Sequence, residues 1–238
     1  MIIKSSNRTI VNILGIPGIL ALLWAGGPLF GVFILIVILL ASREFLVLTG
    51  VDNQSLLKWI TYLVGLGFCC FYYFSKTWDA YHILLFVGLV VIAGFFIEIF
   101  RTTSNPTRNL AMNFFCIFYV GGLLSTLIGL RNLDTLHSTY FTLTMVLSIW
   151  ICDSAAFYFG SKWGRKKILP SISPKKSWVG CIAGLISSFI VYGVATYLHL
   201  LEITGEEMCV LVVITGFFGQ AGDFAESLLK RNAGVKDS

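Results

Sequence analysis

Residues 209–218 read CVLVVITGFF, and the chain continues Gly219-Gln220-Ala221-Gly222-Asp223-Phe224-Ala225-Glu226-Ser227-Leu228-Leu229-Lys230-Arg231. An apolar run that ends on two carboxylates and then on two bases reads as a membrane helix arriving at an interface. Ionisable groups at such depth cost about 3 kcal/mol each, so they are usually retained for a task. On a helix, Asp223, Glu226, Ser227 and Lys230 recur at i, i+3, i+4 and i+7, which is one face. Hard oxygen ligands beside fixed cations suit a divalent metal that holds a phosphorylated substrate.

The rest of the chain repeats the apolar theme. It is 57% apolar and 12% charged, against about 25% charged in soluble domains. Eight apolar segments fall near residues 10–25, 28–48, 57–75, 80–100, 109–130, 139–160, 178–200 and 208–229, each long enough to span a bilayer or nearly so. Gly26-Gly27-Pro28 should turn the first pair back tightly. The expected fold is all-α, a polytopic integral membrane protein of about eight transmembrane helices forming one membrane domain over 1–238. Residues 1–138 would be a helical scaffold, and 139–238 would carry the chemistry. Lys4 and Arg8 before the first segment could belong to a signal peptide, but no small-x-small cleavage site follows. The six cysteines lie mostly within apolar runs and form no C-x-x-C pair, so they read as small buried hydrophobes.

Charge sets the orientation. Fifteen of the 17 lysines and arginines fall at the N-terminus, the C-terminus and around the loops after segments two, four and six; only Lys76 and Arg131 fall on the other side. By the positive-inside rule, both termini and the basic loops face the cytoplasm. The expected location is the cell inner membrane, with loop 201–207 outside. Six of the bases lie in the loop 160–177. There Ser173 and Pro174 suit the N-cap and first residue of the seventh segment, so the helix is expected to begin at that point. A helix start carrying Lys175, Lys176 and the Ser177 hydroxyl is an anion site. Anchoring on anionic lipid headgroups is the alternative reading for these lysines. A capped helix start with two lysines is the more specific pattern, and it favours a polyphosphate.

Asp153, about two turns before that loop, is the third intramembrane acid of note. A helix-to-helix polar contact is the structural alternative. Glu98 beside Arg101, and Glu44 beside Arg43, read as local pairs or snorkelling side chains. His82, His137 and His199 lie near outer ends and form no ligand cluster.

Three motifs carry a resemblance. They are Asp153-Ser154-Ala155 with Tyr158-Phe159-Gly160 and Gly164; Ser173-Pro174-Lys175-Lys176-Ser177-Trp178 with Gly180; and Gly222-Asp223-x-x-Glu226-Ser227 with Lys230-Arg231 and Lys236-Asp237-Ser238. In order and spacing this resembles the phosphatidate cytidylyltransferases. The first 140 residues agree only as generic membrane helices. The resemblance implies that CTP and phosphatidic acid give CDP-diacylglycerol and pyrophosphate at a membrane surface, with Mg²⁺ as cofactor. It implies Asp223 and Asp237 as metal ligands, and Asp223, Glu226, Lys230 and Asp153 as catalytic groups. Ser173, Lys175, Lys176, Ser177, Ser227, Arg231 and Lys236 would bind the nucleotide and its phosphates. Membrane lipids and a second copy of the chain are the expected partners, and nucleic acid is not.

The departures are specific. The family usually has Thr at Ser177, Glu at Val179 and Leu at Phe224. Its signature also runs on past Ser238 into a Pro-Gly-His-Gly-Gly stretch, an Asp-Arg-x-Asp and a last membrane helix. The polypeptide as written is therefore expected to be inactive or nearly so. A CTP-dependent polyprenol or phytol kinase would share the basic loop but release CDP. A transporter would place its ionisable groups near the midplane rather than at one face.

Overall fold

The structure, a computed structural model, describes residues 5–51, 56–74, 80–101, 105–133 and 137–235. Among the described residues, eight helical rods run in chain order: α1 Ser5–Ala25, α2 Gly27–Leu48, α3 Leu56–Phe74, α4 Ala80–Ile99, α5 Pro106–Asn132, α6 His137–Trp163, α7 Trp178–Tyr197 and α8 Gly205–Asn232. No strand occurs among the described residues. Six of the rods, all but α1 and α4, are long and apolar enough to cross a membrane; the apolar stretches found in the other two are Leu14–Ala25 and Leu84–Ile99. The protein is an all-α polytopic membrane protein, and each expected apolar segment is a helix.

The first turn forms as the sequence anticipates. Gly26 and Gly27 take φ of +62° and +58°, a region nearly closed to residues with a Cβ, and Pro28 opens α2 where its missing N–H costs nothing.

Two compact units divide the chain at residues 135 and 136. In the first, Val64, Phe68, Val90 and Ile117 form a core from α3, α4 and α5. Several of its polar side chains are paired internally. Buried Glu98 accepts from Asn109 Nδ2 at 3.0 Å and pairs with Arg101 at 3.2 Å. Thr61 Oγ1 donates to Asn113 Oδ1 at 3.0 Å. Arg131 reaches the end of α1, donating to the carbonyls of Leu23 at 2.8 Å and Trp24 at 2.9 Å. In α5, residues Ile117–Gly122 widen into a π-helical turn.

The second unit is α6, α7 and α8. Its core joins Tyr192, Ala195, Leu201 and Val212. At the start of α8, Thr204 and Glu207 form a reciprocal capping box, with Glu207 N donating to Thr204 Oγ1 at 3.2 Å and Thr204 N donating to Glu207 Oε2 at 2.8 Å. A second π-helical turn interrupts α8 at Val213–Phe218. Such turns recur at functional sites.

Candidate active site

The site begins where α6 and α7 touch. A Cβ on Gly180 would come within 3.1 Å of Gly160 Cα and 2.5 Å of Ala156 O, and one on Gly160 within 3.3 Å of Gly180 Cα. Glycine at both positions lets the two backbones meet, as small residues do in membrane helix pairs. A side chain on Gly164 would occupy the place of the Ser177 hydroxyl. That contact fixes the loop between α6 and α7.

The loop folds as a short hairpin rather than as an early start to α7. Ile168 N donates to Lys176 O at 3.2 Å and Trp178 N to Lys166 O at 3.1 Å, and Lys167 pairs antiparallel with Ser177. At its tip, Lys176 N donates to Ser173 O at 3.3 Å, which closes a turn with Pro174 in second position. The expectation that Ser173 caps the helix is thus corrected: α7 starts at Trp178, and Ser177 is its cap, with Oγ accepting from Gly180 N at 3.3 Å. The physical reason is that proline's fixed φ suits the second position of a turn as well as the first of a helix. Trp178 N and Gly180 N are both occupied within the protein. An anion bound here would therefore meet the lysine side chains more than free helix N–H groups.

The hairpin, the end of α6 and the middle of α8 enclose a cavity of about 380 Å³, lined by Asp153, Lys167, Lys175, Lys176, Gln220 and Asp223 among others. Lys176 is its pivot. Its ammonium lies 2.6 Å from Asp223 Oδ2, 3.5 Å from the Gln220 carbonyl and 4.0 Å from the centre of the Phe224 ring. Asp153 stands within electrostatic reach of both Asp223 and Lys176. Three bases thus face two carboxylates across one pocket.

The remaining sequence candidates sit in varied places. Ser173 and Ser177 line the cavity; Ser177 is 2% exposed, so its hydroxyl serves chiefly as a cap. Glu226 pairs with Lys230 at 2.6 Å on the exposed side of α8. Arg231 Nε donates to Ile172 O at 3.4 Å, holding the hairpin to α8. Ser227 is half-buried on α8. Lys236 and Asp237 lie outside the described residues.

Among the described residues, no three of His, Cys, Asp and Glu cluster closely enough to hold a metal by themselves. Asp153 and Asp223 nevertheless fit Mg²⁺, which commonly takes one or two carboxylates and completes its shell with water and substrate phosphates. Lys167 and Gln220 are cavity residues that the sequence reading did not single out; Lys167 was one base among six in the loop, and Gln220 carried a sharper mark. Its signal was a lone amide in an apolar run, three residues before Asp223.

A model of the cytidylyltransferase family matches residues 6–238. Relatives include the phosphatidate cytidylyltransferase of Haemophilus influenzae, 30% identical over 141 residues, 57% of this chain and 49% of that one. That of Bacillus subtilis is 34% identical over 120 residues, 50% of this chain and 44% of that one. That of Staphylococcus saprophyticus is 29% identical over 238 residues, 97% of this chain and 87% of that one. The chain thus spans about half the length of the first two relatives it matches and most of the third.

Proposed function

We propose that this chain, which belongs to the cytidylyltransferase family, condenses CTP with phosphatidic acid to give CDP-diacylglycerol and pyrophosphate. The observation that carries the reading is the single cavity in which Lys167, Lys175 and Lys176 face Asp153 and Asp223. In the proposed reaction a phosphate oxygen of the lipid forms a bond to the α-phosphorus of CTP. The α–β anhydride breaks, and its electron pair leaves with pyrophosphate. The nucleophile comes from the lipid, so the protein's share is placement and charge neutralisation. The lysines bind and orient the triphosphate, and Lys176 neutralises charge beside Asp223. Asp153 and Asp223 would hold Mg²⁺, which when bound supplies charge stabilisation at the phosphates. Relatives named phosphatidate cytidylyltransferase support the substrate pair.

The excess of bases near the loop 160–177 and the chain ends supports a cytoplasmic site on the inner membrane. A cysteine placed at Ser161, with native cysteines removed, should resist impermeant reagents applied to intact cells. Labelling from outside would reverse the orientation.

The reaction is tested with protein expressed from its complete reading frame, purified, and given CTP, phosphatidate and Mg²⁺. CDP-diacylglycerol and pyrophosphate in equal amounts are expected. Release of CDP with a phosphorylated alcohol, or no CDP-lipid at all, would refute the reading.

A further inference from the structure

We infer that Gln220 is a positioning residue, an amide that locks α8 onto α6 and α7 and so sets Asp223 and Lys176 at the cavity; this rests on the cytidylyltransferase reading of that cavity. Gln220 is 7% exposed, and a buried amide left without partners is destabilising. Its Nε2 donates to Gly216 O at 2.9 Å within α8 and to Cys181 O at 3.2 Å on α7, and lies 3.5 Å from Cys152 Sγ on α6. Cys152 Sγ in turn lies 3.7 Å from the same Gly216 carbonyl. One side chain therefore ties all three helices of the unit together.

The surroundings leave room for that amide. A Cβ on Gly184 would come within 2.8 Å of both Gln220 Nε2 and Cys152 Sγ, so glycine on α7 opens the slot that the amide fills. One of the two carbonyls that accept from it, that of Gly216, belongs to the π-helical turn Val213–Phe218. Widening by one residue turns everything that follows by about 100° relative to an uninterrupted α-helix. The amide fastens the helix just after that turn.

What is fastened is the chemistry. Asp223 lies three residues on, less than one turn, and the Gln220 carbonyl itself lies 3.5 Å from the Lys176 ammonium. Loosening the amide frees α8 to rotate or slide, and Asp223 moves with it. Groups that orient a metal ligand typically change metal affinity or activity by about 10–100-fold when removed.

Three variants test this in the purified protein from its complete reading frame. Gln220→Met keeps length and volume but has no donor. Gln220→Asn keeps the amide but withdraws it by one methylene. Gly184→Ala closes the slot from the far side. Each is measured for Mn²⁺ binding by electron paramagnetic resonance with a non-hydrolysable CTP analogue, for the Mg²⁺ dependence of CDP-lipid formation, and for thermal unfolding. All three are expected to weaken Mn²⁺ binding and raise the Mg²⁺ half-saturation by about 10-fold or more, with the KM for phosphatidate within about threefold. Lower unfolding temperature with unchanged metal dependence would make Gln220 a packing residue and overturn the inference. A raised KM for CTP alone would make it a direct nucleotide contact, which also overturns it. Should Gln220→Met fail to fold, Gly184→Ala carries the comparison. If the wild-type protein makes no CDP-lipid, the functional reading fails, while the Mn²⁺ titration still decides on Gln220; if it binds no Mn²⁺, the inference falls with the metal site.

Discussion

The two units handle intramembrane charge in opposite ways. In residues 1–135, Glu98 is 4% exposed and accepts from Asn109 while pairing with Arg101, and Arg131 is spent on the last carbonyls of α1. In residues 136–238, Asp223 keeps 48% of its side chain exposed although Lys176 lies 2.6 Å away, and Asp153 opens onto the same cavity. An acid in a membrane helix is therefore not a site by virtue of being there. What separates the two cases is whether neighbours consume the charge or leave part of it facing a space a ligand can enter.

The comparison is most exposed to failure at Asp223. Asp223→Asn keeps size and one oxygen but removes the charge that a hard cation requires. Turnover should fall by roughly 100-fold or more, with thermal unfolding nearly unchanged. Wild-type rates at ordinary Mg²⁺ would place Asp223 in the same class as Glu98.

Next in size is the lysine pair. Lys175→Ala with Lys176→Ala should weaken CTP binding by about 1.5–3 kcal/mol for each lost phosphate contact, measured by titration at fixed Mg²⁺. Association with anionic vesicles should change far less. Equal losses in both measurements would return the hairpin to lipid anchoring.

Glu98→Ala sharpens the other side. It removes a buried carboxylate, leaving Asn109 and Arg101 without that partner, and should cost about 1–3 kcal/mol of stability, read as a lower unfolding midpoint. The molecules that remain folded should turn over normally. A loss of activity without loss of stability would mean that the first unit contributes to the chemistry.

The smallest effect is expected at Arg131→Ala. Two carbonyls at the end of α1 lose their donor, a change of about 1 kcal/mol at a partly exposed helix end. Faster backbone amide exchange confined to residues near Leu23 and Trp24 would report it. Exchange spreading through the whole first unit would show that this clasp matters more than its exposure suggests.

Much of this was legible in advance because it is written in local patterns. Apolar length alone marks the helices, and the glycines and proline at 26–28 mark the first turn. The placing of bases at segment ends supports an orientation, and the motif order at Asp153, at Lys175-Lys176 and at Asp223 marks the family. The cap at Ser177 was not legible, because Ser173-Pro174 and Ser177-Trp178 both satisfy local rules for starting a helix. Only the hairpin bonds between Lys166–Ile168 and Lys176–Trp178 choose between them. Glu98 and Asp223 likewise look alike along the chain, each an acid near a base at the end of an apolar run.

The helices, their membrane character and the residue types available for phosphate and metal chemistry can thus be read directly along the chain. These follow from hydropathy and spacing, which act along one chain segment at a time. Which polar groups are consumed and which line the cavity is set by packing between segments. That depends on how closely α6 and α7 approach at Gly160 and Gly180, on the slot at Gly184, and on the phase of α8 after its π turn. Each is a matter of a few ångströms between segments distant in sequence, where a hydrogen bond is either made or lost.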